Sequence, residues 1–473
     1  MLPAFRLRFL HLPALLLLGL TYGMLAYATP RAQFGQLLGL LVVAFGLYGL
    51  LLKTRLPLRT GLLAALLLRL LWLPALPAFS DDYHRFRWDG LLVANGINPY
   101  QYRPDELVAA TSAAGLMAAD VAVKNQNPAT KNELVLLYPK LNSPHYYSVY
   151  PPVCQAVYGL ASGLFPTTER GAVLVLRLVL LLAEAGMAAL LLALLRAFGQ
   201  PAHRALWYLL NPLVVVELTG NLHFEGLMIC LALLAVWLLM RGRWALSAGA
   251  LGLAVGTKLL PLLLLPLLLR RLNWRRFVAY AAVVGLTLSV LFVPFVSLDL
   301  LRNISRSLTL YFSKFEFNAS VYYLLRAIGY RITGYNEIAR IGPALALLTT
   351  GLTLWLAWRE KPLSWPQLLR TFLLILTVYY FNATVVHPWY IVPLVALSVF
   401  TPYWFALVWS GVVVLSYAAY QTMAYTENLW LLALEYAVVA AMLIWDLPRS
   451  PQPYKATALA RYPEPDASNR RSG

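Results

Sequence analysis

The stretch GLLAALLLRLLWLPALPAF (residues 61–79) is long and apolar enough to cross a bilayer, and the charged stretch SDDYHRFRWDG (residues 80–90) follows it directly. Apolar runs of the same kind recur along the 473 residues, of which 60% are hydrophobic and 12% are charged. The sequence therefore predicts an all-α fold, a polytopic transmembrane bundle of about 12–14 spans.

The charged stretch begins with features that are typical of a helix start. Ser80 is a favourable N-cap residue, and the two aspartates after it fall in the first turn, where carboxylates stabilise the positive end of the helix dipole. We predict a short helix from Ser80 to about Ala94, where an asparagine and a glycine stop it. At helical spacing Asp82, Arg85 and Asp89 share one face. The alternative is an interfacial helix whose charged face is merely solvated.

The composition excludes several classes of protein. The net charge of +18 comes mostly from short basic clusters between apolar runs, where Lys and Arg orient the spans beside anionic lipids. Membrane lipids are therefore expected partners, and nucleic acid is not. Cys154 and Cys230 lie in or beside apolar segments, so they indicate neither a disulfide framework nor a thiolate metal site.

The distribution of basic residues predicts the topology. With a cytoplasmic start, residues 79–147 form a long outer loop that carries juxtamembrane helices, and residues 297–340 form a second outer loop. Residues 150–165 are then a re-entrant or surface segment, because a full span there would place the following arginines on the outer side. We expect one transmembrane catalytic domain over residues 1–446 and a disordered cytoplasmic tail over residues 447–473.

The same assignment predicts which positions face opposite sides of the membrane. Arg241 and Arg276 come out cytoplasmic, whereas the long loop lies outside. Cysteines introduced at Asn125 and at Asn273 are therefore expected to react from opposite sides. Within the long loop, the sequence also predicts a short helix near Asp105–Met117.

Polar residues interrupt several apolar runs on the predicted outer side. Ionisable groups at such positions are energetically expensive and usually mark a pathway or a site. These residues are Asn211, Glu217, Asn221, His223, Glu225, Lys258 and His387. For each residue alone, a satisfied helix-end residue or a snorkelling lysine is the alternative. The second outer loop adds Arg302 and Arg306, and the arginine fork suits a phosphate group.

Together these groups indicate chemistry on a sugar. A carboxylate such as Asp82 is a suitable base for a hydroxyl group, cations stabilise a departing phosphate, and aromatic rings such as Trp389 suit the face of a sugar. The set describes glycosyl transfer from a lipid-phosphate donor. A transporter or flippase of a lipid-linked anionic substrate is the alternative, and a non-catalytic scaffold is a third possibility. The sequence shows no glycine pattern for a nucleotide and no metal-binding cluster.

At these residues the sequence resembles the GT-C superfamily of polytopic glycosyltransferases, and within it the bacterial mannosyltransferase-like members. The resemblance rests on SDDYHRFRWDG (80–90), GINPY (96–100), YPP (150–152), NP (211–212), GTK (256–258), NAS (318–320) and HPWY (387–390). A more distant similarity is to the glycosylphosphatidylinositol mannosyltransferase I, which also has an Asp pair in its first outer loop and a Tyr-Pro re-entrant element.

The resemblance implies a polyprenyl-phosphate-linked sugar donor carrying a mannose-like hexose, with transfer to an acceptor hydroxyl on the outer face and inversion at the anomeric carbon. It also implies a bacterial inner-membrane protein with a periplasmic active site and no cofactor. A divalent metal at Asp81 and Asp82 stays an open alternative. The chain departs from the signature at His84 and Arg87, so the identity of the glycan or lipid acceptor is not carried over.

Individual residues at these positions have expected roles. Asp82 is the expected catalytic base, with Asp81 as the second candidate, because Asp82 shares a face with Arg85, which would hold it ionised. The expected ligands of the donor phosphate are Arg85, Lys258, Arg302 and Arg306. The expected substrate-binding residues are Trp88, Asp89, Asn98, Tyr100, Tyr150, His223, Glu225, Asn318, His387, Trp389 and Tyr390.

Overall fold

The computed structural model describes residues 8–112, 128–360, 364–422 and 425–449. Within these ranges the chain consists of helices and turns, with one isolated β-bridge between Phe317 and Val385. The predicted all-α fold is therefore confirmed. The predicted tail lies almost wholly outside the described residues, as does Asn125.

The first part of the chain contains the predicted short helix, which begins at Asp82. Its helices are α1 (His11–Tyr27), α2 (Phe34–Lys53), α3 (Leu58–Leu70), α4 (Asp82–Ala94), α5 (Pro104–Ser112), α6 (Pro128–Leu137), α7 (Pro152–Leu164) and α8 (Glu169–Ala197). The end of α4 agrees with the prediction, and it begins two residues after Ser80, whose Oγ accepts a hydrogen bond from the Asp82 amide at 3.3 Å. The helix expected near Asp105–Met117 is seen as α5, and its predicted end lies outside the described residues.

The second part of the chain continues the bundle. Its helices are α9 (Pro212–Gly220), α10 (Glu225–Met240), α11 (Trp244–Thr257), α12 (Trp274–Phe292), α13 (Leu300–Ser313), α14 (Val321–Thr333), α15 (Ile338–Arg359), α16 (Trp365–Asn382), α17 (Pro388–Ser398), α18 (Phe405–Gln421) and α19 (Leu429–Asp446). The breaks between α9 and α10, after α11, and between α16 and α17 fall where polar residues interrupt the apolar runs.

Fewer helices than predicted are long enough to span a membrane by themselves. Among the described residues five helices have the length and composition, namely α2, α8, α12, α15 and α19, and a sixth arises if the pair α9 and α10, bent by 109°, is one span. The shorter apolar helices are α1, α11, α17 and α18. The predicted 12–14 spans counted apolar runs, and turns and prolines divide several of those runs into short helices.

Helix α7 has the length of a re-entrant element. Its 13 residues extend over roughly 20 Å, which is less than the hydrocarbon core of about 30 Å. It packs against α4 and α8. Gly90 makes the contact with α4 possible, because a Cβ at this position would lie 2.3 Å from the carbonyl oxygen of Tyr158. The glycine of the charged signature therefore allows these two helices to approach closely.

Candidate active site

A cavity of about 880 Å³ lies at one end of the bundle, beside the start of α4. Its walls come from the loop 142–151, the start of α10, the end of α11, and helices α13, α15 and α16. Residues distant in sequence therefore meet at one place, which we call the cavity end of the bundle.

One side of the cavity is apolar. Leu259, Leu260, Leu262 and Leu263, which follow α11, form this wall, and α15 faces them with small or hydroxylated residues. Those residues are Gly342, Ala346, Thr349 and Thr350, whose short side chains leave room between the two walls. We call this part the leucine groove.

Asp82 lies at the polar part of the cavity. Its Oδ1 accepts a hydrogen bond of 2.9 Å from Asn142 Nδ2, and it forms no ion pair within the described residues. Burial raises the pKa of Asp82 above its ordinary value, while the Asn142 hydrogen bond and the charge of Lys258 lower it. A carboxylate with a raised pKa and few partners is suited to accept a proton near neutral pH.

The other carboxylates of the cavity wall are already neutralised by cations. Each forms an ion pair in the described chain: Asp81 with Arg31 at 2.6 Å, Glu225 with Lys258, and Glu316 with Arg326 at 2.7 Å. The pairing separates Asp82 from its chemically identical neighbour. The Asp81 side chain is 39% exposed.

Arg85 does not hold Asp82, contrary to the expectation from helical spacing. Its Nε donates to Asp89 Oδ1 at 2.8 Å, and its Nη1 donates to the carbonyl oxygens of Ser143 and Tyr146, both at 3.1 Å. The guanidinium therefore fastens the loop 142–151 to α4. The i,i+4 partner prevails over the i,i+3 partner because Asp89 is fully buried beside Arg85, whereas Asp82 lies at the helix start.

Lys258 and the aromatic motif of residues 387–390 lie together in the cavity. The Lys258 ammonium is 5.6 Å from the centre of the Tyr390 ring. Trp389 is stacked between two imidazoles, with ring centres 3.7 Å from His223 and 4.4 Å from His387. The stack is a rigid flat surface next to the only lysine that lines the cavity in the described chain.

A buried arginine connects the two segments that lead into the cavity. Arg177 on α8 donates to the carbonyl oxygens of Leu73 (2.8 Å) and Ala75 (2.7 Å), which precede the aspartates, and of Thr219 (2.7 Å) and Gly220 (3.2 Å), which precede Glu225. Neither segment is regular α-helix, so these carbonyls need donors from outside the segment. Arg177 thereby places the carboxylates of α4 and α10 relative to each other.

Several of the predicted site residues do not line the cavity. Arg302 and Arg306 lie on the exposed face of α13, and Arg302 pairs with Asp299. The face of α13 that contacts the protein carries Asn303 and Ser307 instead. The helical periodicity of α13 therefore directs both arginines away from the cavity, and their assignment to the donor phosphate finds no support in the geometry.

Other predicted substrate-binding residues are buried in the surrounding structure. Trp88 packs with Leu91 and Tyr138, while Asn98 and Tyr100 hydrogen-bond to the carbonyls of Phe295 (2.7 Å) and Tyr150 (2.6 Å). Their motifs support the cavity walls rather than line them. Asp89, His223 and Asn318 likewise lie outside the lining of the cavity. The predicted substrate-binding residues that do line it are Tyr150, Glu225, His387, Trp389 and Tyr390.

Arg31, Asn142 and Glu316 are among the cavity residues that were not predicted from the sequence. Arg31 could have been noticed, because a lone arginine in a short loop on the predicted outer side runs against the orientation rule. Asn142 and Glu316 carry no local signal. They reach the cavity only through the folding of the two long loops.

Carboxylates that line a cavity are possible metal ligands. In the described part of the chain, no group of three or more His, Cys, Asp or Glu side chains is placed to hold a metal ion. Arg31 occupies Oδ2 of Asp81, which leaves Oδ1 of this carboxylate for a divalent cation shared with Asp82, the alternative that stays open. A reaction without a metal stays a prediction.

A helical membrane bundle whose cavity joins a carboxylate, a lysine and an apolar groove has the form expected of a GT-C glycosyltransferase. Residues 143–273 match the model of the MptA_B family, described as alpha-(1->6)-mannopyranosyltransferase, N-terminal domain. The match confirms the resemblance to GT-C mannosyltransferases, and the protein is a membrane glycosyltransferase of the mannosyltransferase class. The matched segment contains Tyr150, Glu225 and Lys258 and ends well before Trp389. The comparison with curated proteins gives no match.

Proposed function

We propose that the protein transfers mannose from a polyprenyl-phosphate donor to an acceptor hydroxyl, with Asp82 as the general base. One observation carries this proposal: the cavity joins the carboxylate of Asp82, the ammonium of Lys258 and the leucine groove. A lipid-linked sugar phosphate needs a cation for its head group and an apolar surface for its chain. The unpaired carboxylate then faces the sugar end of the donor.

The reaction proposed for this cavity is a single displacement. Asp82 takes the proton of the acceptor hydroxyl, the acceptor oxygen forms a bond to the anomeric carbon, and the bond from this carbon to the phosphate oxygen breaks. Polyprenyl phosphate leaves with the electron pair, and Lys258 stabilises its charge. Displacement from the opposite face inverts the anomeric carbon. A β-linked donor would thus give the α-mannoside that the family description names.

Binding of the phosphate requires Lys258 to take a second partner. The ammonium is paired with Glu225, whose side chain is only 2% exposed, while 26% of the lysine side chain faces the cavity. The phosphate therefore approaches from the open side of Lys258. A lysine is suited to bind Glu225 and the phosphate together because its ammonium donates in three directions.

Transfer with purified protein tests the reaction itself. We expect polyprenyl-phosphate [14C]mannose with an alkyl α-mannoside as acceptor probe to give a labelled product and free polyprenyl phosphate. GDP-mannose serves as the soluble donor for comparison. Transfer from GDP-mannose alone would contradict the lipid donor, and movement of the lipid across proteoliposomes without chemistry would favour a flippase.

The leucine groove provides a second test of the donor. In Ala346→Trp the indole would fill the groove opposite Leu260, so we expect a higher KM for a long-chain polyprenyl donor and little change for a short citronellyl donor. Leu347→Trp is the matched control, because Leu347 is the next residue of α15 and is 74% exposed. Equal behaviour of both variants toward both donors would remove the groove from the donor site.

The location of the cavity on the outer face is also part of the proposal. Basic residues gather at the opposite end of the bundle, where Arg271 pairs with Glu360, and this is the arrangement expected of a cytoplasmic side. Both native cysteines are buried, so single cysteines at Lys140 and Arg243 can be labelled selectively. We expect an impermeant maleimide to label only the cysteine at Lys140 in intact cells. Labelling of only the cysteine at Arg243 would place the cavity on the cytoplasmic side.

A further inference from the structure

Arg31 lines the cavity but has no role in the proposed transfer reaction. It lies in the turn between α1 and α2, and its Nη2 donates a hydrogen bond to Asp81 Oδ2 at 2.6 Å, across 50 residues of sequence. Its guanidinium also lies over the ring of Tyr420 on α18, 4.6 Å from the ring centre. The side chain is 20% exposed, so the arginine is held by two elements and is shielded from bulk solvent.

The charges around Asp82 explain why this pair matters. The titratable groups that act on Asp82 come from six parts of the chain: Asp81, Arg31, Lys258, Glu217, Glu225 and Tyr420. Lys258 already neutralises Glu225. Without Arg31, Asp81 would place an uncompensated negative charge directly beside Asp82, and two adjacent carboxylates resist simultaneous ionisation.

We propose that Arg31 is a positioning residue that neutralises Asp81 and leaves Asp82 as the cavity carboxylate that accepts the acceptor proton. The proposal rests on the transfer reaction described above. It explains how two adjacent aspartates acquire different tasks: the ion pair turns Asp81 toward Arg31, while Asp82, within the described residues, accepts a side-chain hydrogen bond from the amide of Asn142 alone. Arg31 thus acts through Asp81 and does not touch the reacting atoms.

Infrared titration of the carboxyl groups tests this role without any substrate. The Asp82 carboxyl band is assigned by its loss in Asp82→Asn. We expect the Asp82 titration to move to higher pH in Arg31→Gln, because Asp81 then carries an unbalanced charge. In the double variant Arg31→Gln/Asp81→Asn it returns toward the wild-type position, since both charges of the pair are gone. Arg31→Lys, which keeps the charge, stays close to wild type.

Arg326→Gln is the matched control, because it breaks another arginine–carboxylate pair of the cavity wall, that of Glu316 at 2.7 Å. We expect no movement of the Asp82 titration in this variant. An unchanged titration in Arg31→Gln, or a double variant that stays displaced, would overturn the proposal. Because no sugar donor is used, these results stand even if transfer from the lipid donor fails.

Kinetics then separate a positioning role from a ligand role. We expect Arg31→Gln to lower kcat at neutral pH by about 10-fold, less than the removal of a base, with the donor KM unchanged. The acid limb of kcat/KM should move in the same direction as the infrared titration. A raised donor KM with an unmoved acid limb would make Arg31 a phosphate ligand, and the proposal would be wrong.

Discussion

The first and the second half of helix α4 carry the same functional group in opposite surroundings. Asp82 lies at the helix start, accepts one hydrogen bond, from Asn142, and faces a cavity. Asp89 lies two turns later, is fully buried, and is bound by Arg85 (2.8 Å), Ser148 (2.5 Å) and Gln155 (3.0 Å). The partners of a carboxylate, rather than its place in a motif, therefore decide whether it reacts or supports the fold.

The physical reason is the cost of leaving a buried charge without partners. Each partner fixes the position of Asp89, so the group holds α4, the loop 142–151 and α7 together. Asp82 has fewer partners and a raised pKa, so protonation of this residue is less costly. The two halves of α4 are thereby specialised for different tasks.

Asp82→Asn is expected to have the largest effect. The amide keeps the size of the side chain and a hydrogen bond to Asn142 but cannot take a proton, so the transfer rate should fall by about 100- to 10,000-fold with donor binding retained. Single-turnover kinetics with the lipid donor and an independent donor-binding assay measure the two effects. Asp81→Asn is the matched control and should be milder. If Asp81→Asn were inactive and Asp82→Asn active, the base would be the neighbouring residue.

Lys258→Met is expected to have the next largest effect. Loss of a charged donor to the phosphate should raise the donor KM by about 10- to 100-fold, in line with hydrogen bonds to charged groups worth about 1.5–3 kcal/mol. Lys258→Arg should retain part of the activity. The double variant Lys258→Met/Glu225→Gln keeps the test valid if the unpaired Glu225 destabilises the fold.

Lys140 provides the matched control for this change. It lies at the same end of the bundle, 3.9 Å from Glu169 and outside the cavity, with half of its side chain exposed. We expect Lys140→Met to leave the donor KM unchanged. Normal donor kinetics in Lys258→Met would reduce Lys258 to a partner of Glu225.

Asp89→Asn is expected to change stability rather than chemistry. It leaves the buried Arg85 without its carboxylate, and such losses cost about 3–5 kcal/mol. Thermal unfolding in detergent should show a lower midpoint, whereas Asp81→Asn, which breaks a partly exposed pair, should cost about 1 kcal/mol or less. A stable Asp89→Asn protein with a normal midpoint and no activity would move Asp89 from the supporting structure into the reaction.

The activity should also depend on pH through Asp82. A base must be ionised, so the rate rises with pH through the pKa of Asp82 and is lost as the pH falls below it. Because burial raises this pKa, the acid limb of kcat/KM should lie above that of an ordinary aspartate. The limb should disappear in Asp82→Asn, and its persistence there would assign it to another group.

Local sequence signals were sufficient for much of the fold. The apolar runs predict a helical membrane protein, and the capping and stop signals predict the end of α4, because hydropathy and helix termination depend on adjacent residues. The polar interruptions at Lys258 and His387 likewise coincide with helix breaks beside the cavity. Among the described residues five or six helices have the full length of a span, and hydropathy does not show where an apolar run turns.

The pairing of charges could not be predicted from the sequence. Arg31 pairs with Asp81, which is 50 residues away in sequence, and Lys258 pairs with Glu225, which is 33 residues away. Arg85 pairs with Asp89 and not with Asp82. Arg302 and Arg306 carry the right charge for a phosphate, yet the face of α13 on which they lie points away from the cavity. The residue types of the cavity end could be predicted from the polar interruptions of the apolar runs. Their partners depend on how distant segments pack, because an ion pair forms only where folding brings two charges within a few ångströms of each other.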